Sequence, residues 1–409
     1  MKTRAFDLRS QDYKRNPYPT LARLVAERPI LKIKYPLIGS IWTATSYEAV
    51  NELLRDRQTF VRDPRTAGLK KGSNLPWWLP HSMRAMAETM INRDEPDHRR
   101  LRGLVEQAFL RSSIQQLRPQ FEAIAAEMID GLEVQQQRTG QPVDLVAGLA
   151  RPFPLAVICE LLGLPQADRL LFVKYAEAFA GNLSWYGVFK LLRYAKRLMV
   201  YIRERIEIAK VTPQPGMFSA LIAAEQQGDR LTEDEMVTMV LLLLLAGHLT
   251  TVHLIGAGVY TLLEHPPQKQ MLLADWSLAG SAIDEILRHV SPVQMTKLLM
   301  PVRDLQWQGQ ALKRGERMIA CLAAANVDPR QFEHPERFDI LRQPNPHVAF
   351  GAGTHICLGL KLAVAEAEIA LRQLFTRFPN LELGIPREQV RWSRSLGTRG
   401  LESLPVILS

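Results

Sequence analysis

The chain has 409 residues, and its 51 Lys and Arg against 42 Asp and Glu give a formal net charge of +9. Hydrophobic residues make up 47% and charged residues 23%, which excludes a disordered or collagen-like chain and disfavours a multi-span membrane protein. The three cysteines, Cys159, Cys321 and Cys357, are too far apart in sequence for a zinc finger or a C-x-x-C-H haem attachment site. So few cysteines favour a reducing cytoplasm.

The predicted elements are mostly helices, and strand signals occur in two places. The first is a β-rich part near 28–48, where β-branched and aromatic residues occupy 30–33 and 39–45; the second is 298–320. The predicted helices carry apolar residues three and four apart and span 99–109, 114–132, 190–210, 232–263, 280–289 and 358–378. The sequence therefore predicts one mainly α domain over 1–409 with a small β-sheet region.

An uncharged stretch at 236–263 is long enough to cross a membrane. However, Thr232 and Glu235 form a capping-box pattern that starts a helix, and polar residues interrupt the stretch at 247–251. We therefore favour a long buried central helix, with a membrane anchor as the remote alternative. The polar N-terminal segment shows no signal-peptide pattern.

Residues 350–359 read FGAGTHICLG, just before a predicted helix. Gly351 and Gly353 allow a tight turn, and Cys357 would fall at the helix N-terminus, where the helix dipole favours a thiolate. A thiolate on such a loop can ligate a metal. By itself, the pattern also fits a buried cysteine in a turn.

This segment resembles the haem-binding loop of the cytochrome P450 family, F-G-x-G-x-H-x-C-x-G, at all six fixed positions. Two further family motifs occur upstream in the expected order. Glu285 and Arg288 match the E-x-x-R helix motif, and AGHLTT at 246–251 resembles the oxygen-binding helix motif A-G-x-[DE]-T. The resemblance covers nearly the whole chain. It implies the cytochrome P450 fold, with haem b (iron protoporphyrin IX) between a long central helix and the cysteine loop.

The resemblance also implies a role for each matched residue. Cys357 would be the axial iron ligand, and an axial thiolate favours O–O cleavage. Glu285 and Arg288 would be structural and hold the meander segment ahead of the cysteine loop. The haem-binding set would further contain His98, Arg102, His355, Phe350, Gly351, Gly353 and Lys297, and the catalytic set on the oxygen side Ala246, Gly247, Thr250 and Thr251.

Two positions depart from the family pattern. Leu249 stands where the family usually has an acid that relays protons, and Lys297 stands where it usually has a propionate-binding Arg. Either water and other groups replace the acid in an ordinary reaction, or the protein is a peroxide-using or non-oxygenating haem-thiolate enzyme. A non-catalytic haem-binding or ligand-binding protein of the same fold is a third possibility. His248 is not expected to be catalytic, because neighbours on a helix point about 100° apart.

The resemblance implies a soluble, cytoplasmic, bacterial-type monooxygenase acting on a small organic molecule. The chain shows no fused flavin or ferredoxin part, so electrons would come from a separate ferredoxin or flavodoxin with its reductase, unless peroxide replaces them. The sequence contains no basic run interleaved with aromatic residues, so it gives no indication that the protein binds nucleic acid. Candidate substrate contacts, which favour a fairly large apolar substrate or else merely pack the loops, are Trp77, Trp78, Trp185, Val293, Met295 and Leu396.

Overall fold

The computed structural model describes residues 4–5, 7–35, 39–69, 89–111, 114–168, 185–213, 216–225 and 231–409. The helices are α1 (Gln11–Arg15), α2 (Tyr18–Glu27), α3 (Tyr47–Arg55), α4 (Asp97–Arg111), α5 (Ile114–Thr139), α6 (Pro152–Leu162), α7 (Trp185–Val211), α8 (Met217–Glu225), α9 (Glu233–Glu264), α10 (Pro266–Ala274), α11 (Ala279–Val290), α12 (Leu322–Ala325) and α13 (Leu360–Arg377). The strands are β1 (Arg4–Ala5), β2 (Ile30–Tyr35), β3 (Gly39–Ala44), β4 (Phe60–Val61), β5 (Val143–Asp144), β6 (Met300–Pro301), β7 (Leu305–Trp307), β8 (Gln310–Leu312), β9 (Met318–Ala320), β10 (Glu382–Leu383) and β11 (Pro405–Ile407). With 57% helix and small sheets, the predicted fold class is confirmed.

The chain forms two compact units. The first contains Met1–Leu69, Ala125–Ala150 and Thr250–Ser409, and the second contains Lys70–Ile124 and Arg151–Leu249. All the described strands belong to the first unit, whereas the described part of the second is built from helices. The description of 1–409 as one domain stays a prediction.

The largest sheet of the first unit has the strand order β1-β2-β3-β9. Strands β2 and β3 pair antiparallel from Ile30↔Ala44 to Tyr35↔Gly39, and β9 lies parallel to β3. A buried apolar cluster that includes Leu53, Trp307 and Met318 packs against this sheet. Both predicted β-rich parts therefore contribute to one sheet.

The uncharged stretch forms most of α9, and its predicted start is confirmed. The backbone N–H of Thr232 donates to Glu235 Oε2 at 2.9 Å, and that of Glu235 donates to Thr232 Oγ1 at 3.2 Å. In the part of the chain that the structure describes, α9 is the one helix long and apolar enough to cross a membrane, but 61% of its most apolar window is buried within the protein. Burial of this kind is typical of the core helix of a soluble protein.

Candidate functional site

The cysteine loop closes through its own backbone. The N–H of Cys357 donates to the carbonyl of Phe350 at 2.9 Å, and the N–H of Gly351 donates to Val348 at 2.8 Å. The Cys357 thiol is exposed, whereas Cys159 and Cys321 are buried. Burial raises the pKa of the Cys321 thiol to about 11, so that thiol is chemically inert. Of the three cysteines, Cys357 is the one placed to bind a metal.

Gly353 is required by a close approach between the loop and α3. Its φ is +70°, and a Cβ at this position would lie 2.2 Å from the Leu54 carbonyl oxygen. Gly351 also has a left-handed φ of +75°. These two conformations favour glycine, which explains why the loop carries Gly at both positions.

The predicted start of the helix after the cysteine is wrong by two residues. Helix α13 begins at Leu360 with Gly359 as its N-cap, so Cys357 lies ahead of the first turn and not at the helix N-terminus. The backbone N–H of Cys357 is bonded to the Phe350 carbonyl and closes the loop. The chain then turns at residues 358–359, and the helix starts after this turn. The loop backbone therefore positions the thiol more directly than the helix dipole does.

Lys297 belongs to the first unit. Its side chain is solvent-exposed, yet desolvation by the surrounding protein, and secondly the charge of Arg62, lowers its pKa. An exposed ammonium group can meet the acidic group of a ligand. His355 and Phe350 are half-buried in the cysteine loop, where the Phe350 ring centroid is 6.1 Å from that of His347.

Glu285 and Arg288 form the predicted ion pair inside α11. Arg288 Nη2 is 2.7 Å from Glu285 Oε1, and both side chains are 0% exposed. The remaining donors of Arg288 reach the carbonyls of Asn326, Pro335 and Arg337 at 2.8–3.0 Å. Since every charged atom finds a partner, this buried pair is compatible with a stable fold and holds the segment ahead of the cysteine loop.

The sequence did not indicate the other partners of Glu285. Its carboxylate accepts hydrogen bonds from the Asp339 N–H at 3.0 Å, Arg342 Nε at 3.2 Å and Asn345 Nδ2 at 3.1 Å. These residues lie more than 50 positions away in the chain, and no local pattern connects them with α11.

In the second unit, the predicted residues lie on two helices. Ala246 is exposed and Gly247 half-buried on α9, and a Cβ at Gly247 would meet the end of the Ile158 side chain at 2.6 Å. On α4, His98 is 3% exposed. Arg102 donates from Nε to Glu106 Oε1 at 2.7 Å.

His248 is buried, and its Nε2 lies 3.0 Å from the Arg151 carbonyl oxygen. Desolvation lowers its pKa, so the ring is neutral at pH 7 and donates to that carbonyl. This environment gives His248 a structural role, in agreement with the sequence. Along the same helix, Leu249 and Thr250 are half-buried and Thr251 is buried.

Three of the predicted substrate contacts lie on neighbouring segments of the first unit. Val293 forms an antiparallel bridge with Thr398, and Met295 with Cys321. Leu396 is partly buried and packs with Leu298 against the same apolar cluster as Met295. Trp77 and Trp78 lie outside the described residues, and so does the side chain of Trp185, whose backbone begins α7.

A model of the cytochrome P450 family matches residues 39–384. The chain belongs to the cytochrome P450 family. It is 33% identical over 413 residues to the polyketide biosynthesis cytochrome P450 PksS of Bacillus subtilis, covering 100% of both chains. It is 37% identical to the vitamin D(3) 25-hydroxylase of Pseudonocardia autotrophica, covering 99% of this chain and 97% of that one. The solved structure of PksS superposes with a TM-score of 0.88, covering 99% of this chain and 100% of that chain.

This P450 is accordingly a monooxygenase-family oxidoreductase of bacterial type, and the cofactor of its family is haem b. The described residues fit that group. The exposed Cys357 thiol is a soft ligand for iron, and the exposed Lys297 side chain offers a cation for a propionate.

Proposed function

We propose that this P450 inserts one oxygen atom of dioxygen into a fairly large apolar organic substrate, with electrons from a separate ferredoxin or flavodoxin and its reductase. We also propose that it works in the cytoplasm. The observation that carries the reaction type is the exposed thiol of Cys357, held by a backbone-closed, glycine-turned loop in a chain that matches P450s over its whole length.

The roles of the cofactor-binding residues follow from their chemistry. Cys357 would ligate the iron as a thiolate, and Lys297, His355, His98 and Arg102 would hold the propionates as hydrogen-bond donors. When bound, haem would supply the activation of dioxygen. Glu285 and Arg288 would act only through the backbone segment that they hold.

Proton delivery would depend on hydroxyl groups. The Leu249 side chain has no acidic proton to transfer, and the His248 ring is hydrogen-bonded to the Arg151 carbonyl. Thr250 Oγ1 and Thr251 Oγ1, with water, would therefore move protons in the part of α9 that follows Ala246 and Gly247. The second candidate, a peroxide-using or non-oxygenating haem-thiolate enzyme, is favoured by Leu249 alone.

Val293, Met295 and Leu396, which lie on paired or neighbouring segments, would supply apolar contacts to the large apolar substrate. Trp77, Trp78 and Trp185 would add aromatic area. The names of two relatives point in the same direction, since one belongs to polyketide biosynthesis and the other hydroxylates vitamin D(3).

A carbon monoxide difference spectrum of the dithionite-reduced protein tests the proposal. We expect a strongly red-shifted Soret band in the wild type and in Cys159→Ala, and its loss in Cys357→Ser. A wild type without this band would refute thiolate ligation. Turnover with ferredoxin and reductase, compared with turnover with hydrogen peroxide, then separates the two enzyme candidates, and failure of both favours a binding protein.

A further inference from the structure

Helix α1 is fastened to a distant segment, residues 388–399, by hydrogen bonds. Gln11 donates to and accepts from the backbone of Trp392, at 2.7 and 3.0 Å. Arg15 Nη2 donates to the Glu388 carbonyl at 2.7 Å. In return, Arg399 Nε donates to the Lys14 carbonyl at 2.7 Å. Polar contacts therefore hold this five-residue helix in place.

Lys14 lies at the centre of this contact, and its side chain is 0% exposed. Its Nζ donates to Gln294 Oε1 at 3.1 Å and to the Thr398 carbonyl at 2.6 Å. Among the residues that the structure describes, no carboxylate pairs with it. A buried amine without a counter-ion destabilises a fold relative to an apolar side chain of similar size, so packing alone gives no reason for a lysine here.

The two acceptors of Lys14 belong to two segments that pair with each other. The Gln294 N–H donates to the Gly397 carbonyl, and the Arg399 N–H to the Pro292 carbonyl, both at 2.9 Å. We call residues 292–294 and 397–399 the strand pair. Because successive side chains in extended backbone point to opposite faces, Gln294 turned toward Lys14 places Val293 on the other face.

On the α1 side the strand pair borders a cavity of about 610 Å³, and Arg15, Gln294 and Arg399 are among its lining residues. Apolar contact is also present, since Tyr13 of α1 packs in the same buried cluster as Met295. Thr398 also meets α9, since its Oγ1 lies 3.4 Å from His253 Nε2, one helical turn beyond Thr250. The hydrogen bonds of Lys14 and Arg399 are thus the polar contacts that join the strand pair to α1.

We infer that Lys14 is a positioning residue that fixes the strand pair through Gln294 and Thr398, and thereby sets the shape of the substrate pocket at Val293 and Leu396. The inference rests on the proposed function, which assigns those two residues to the substrate. Lys14 would act only through Gln294 and Thr398, which accept its hydrogen bonds.

The ferric holoenzyme of Lys14→Met tests this inference, with Lys34→Met as the matched control on the exposed face of β2. The protein is titrated with imidazole and with 4-phenylimidazole, and binding is measured by the shift of the Soret band. Imidazole is small, so its Kd depends on access to the iron alone, whereas the Kd of 4-phenylimidazole also depends on the shape of the pocket that its phenyl ring fills. We expect the Kd of 4-phenylimidazole to change about 5-fold in Lys14→Met, the effect of one lost hydrogen bond, while the Kd of imidazole stays the same. Lys34→Met should change neither.

Hydrogen exchange supplies a readout that needs no ligand. The Gln294 and Arg399 amides should lose protection in Lys14→Met and keep it in Lys34→Met. Unchanged protection together with an unchanged ratio of the two Kd values would overturn the inference. If Lys14→Met does not retain haem, Gln294→Leu is used instead, because it removes the hydrogen bond between Lys14 Nζ and Gln294 Oε1. The same two Kd values and the same amide protection are then measured.

Loss of haem in both variants would also contradict the inference, because it would show a role in the whole fold. Failure of the proposed function is recognised separately. A wild type that lacks the thiolate Soret band refutes that function. Hydrogen exchange of the Gln294 and Arg399 amides in Lys14→Met would still test whether Lys14 fixes the strand pair.

Discussion

Arg288 donates two hydrogen bonds to Glu285, from Nε to Oε2 at 2.8 Å and from Nη2 to Oε1 at 2.7 Å, inside a single turn of α11. Both side chains are fully buried, and together they bind the backbone at Asn326, Pro335, Arg337 and Asp339. One ion pair thus connects α11 to the segment that leads to the cysteine loop.

Glu285→Gln should therefore destabilise the protein by about 3–5 kcal/mol, because it leaves the Arg288 charge buried and uncompensated. We expect a lower midpoint of urea unfolding and less haem retained after purification. Glu122→Gln, which disrupts the exposed pair of Glu122 with Arg118, should cost less than about 1 kcal/mol. Equal midpoints for the two variants would show that the buried pair does not hold the segment.

Gly353→Ala should displace the cysteine loop, because its Cβ would collide with the Leu54 carbonyl and its φ is left-handed. We expect the thiolate Soret band of the carbon monoxide complex to be lost or strongly reduced. Gly131→Ala on α5 is the control, since this glycine is exposed and a Cβ there meets nothing within 4 Å, and it should keep the wild-type spectrum. A wild-type spectrum from Gly353→Ala would contradict this account of the loop.

Lys14 should make stability depend on pH. Burial, and secondly the charge of Arg399, lowers its pKa from 10.5 to about 7. Between these values the unfolded chain binds more protons than the folded protein, so the contribution of Lys14 to stability rises with pH across that window. Below pH 7 both states are protonated and the penalty is constant, up to about 5 kcal/mol.

The free energy of unfolding of Lys14→Met, compared with the wild type at pH 6, 8 and 10, measures this effect. Met has no charge to desolvate, so its advantage should be largest at pH 6 and should shrink toward pH 10. Lys34→Met, at an exposed position, should differ from the wild type by the same amount at all three values. A flat difference for Lys14→Met would mean that the buried amine does not titrate in this range.

Leu249→Glu should raise the amount of product formed per reducing equivalent, because it places a proton donor next to Thr250 on the half-exposed part of α9. The measurement compares product with NADH consumed under ferredoxin-supported turnover. Leu249→Gln matches the size of Glu without its acidity and should behave like the wild type. Unchanged coupling in Leu249→Glu would rule out proton supply as the property that Leu249 limits.

Local patterns predicted much of this fold. The capping box of α9, the long helices, the strands near 30–45 and 298–320 and the Glu285–Arg288 pair are all encoded by residues close together in sequence. The start of α13 was missed because a backbone bond from Cys357 to Phe350 overrides the helical pattern. Nothing in the polar residues 10–15 indicates that Lys14 is buried, since its acceptors lie 280 and 384 residues away.

The same distance bears on when α1 becomes ordered. A helix of five residues does not persist alone in water. Among the described residues, the side-chain hydrogen bonds that join α1 to other segments involve residues 294 and 388–399. Contacts so far apart in sequence form only after the chain between them has become compact. We therefore expect helix α1 to become ordered late in folding, after the strand pair to which it is bonded.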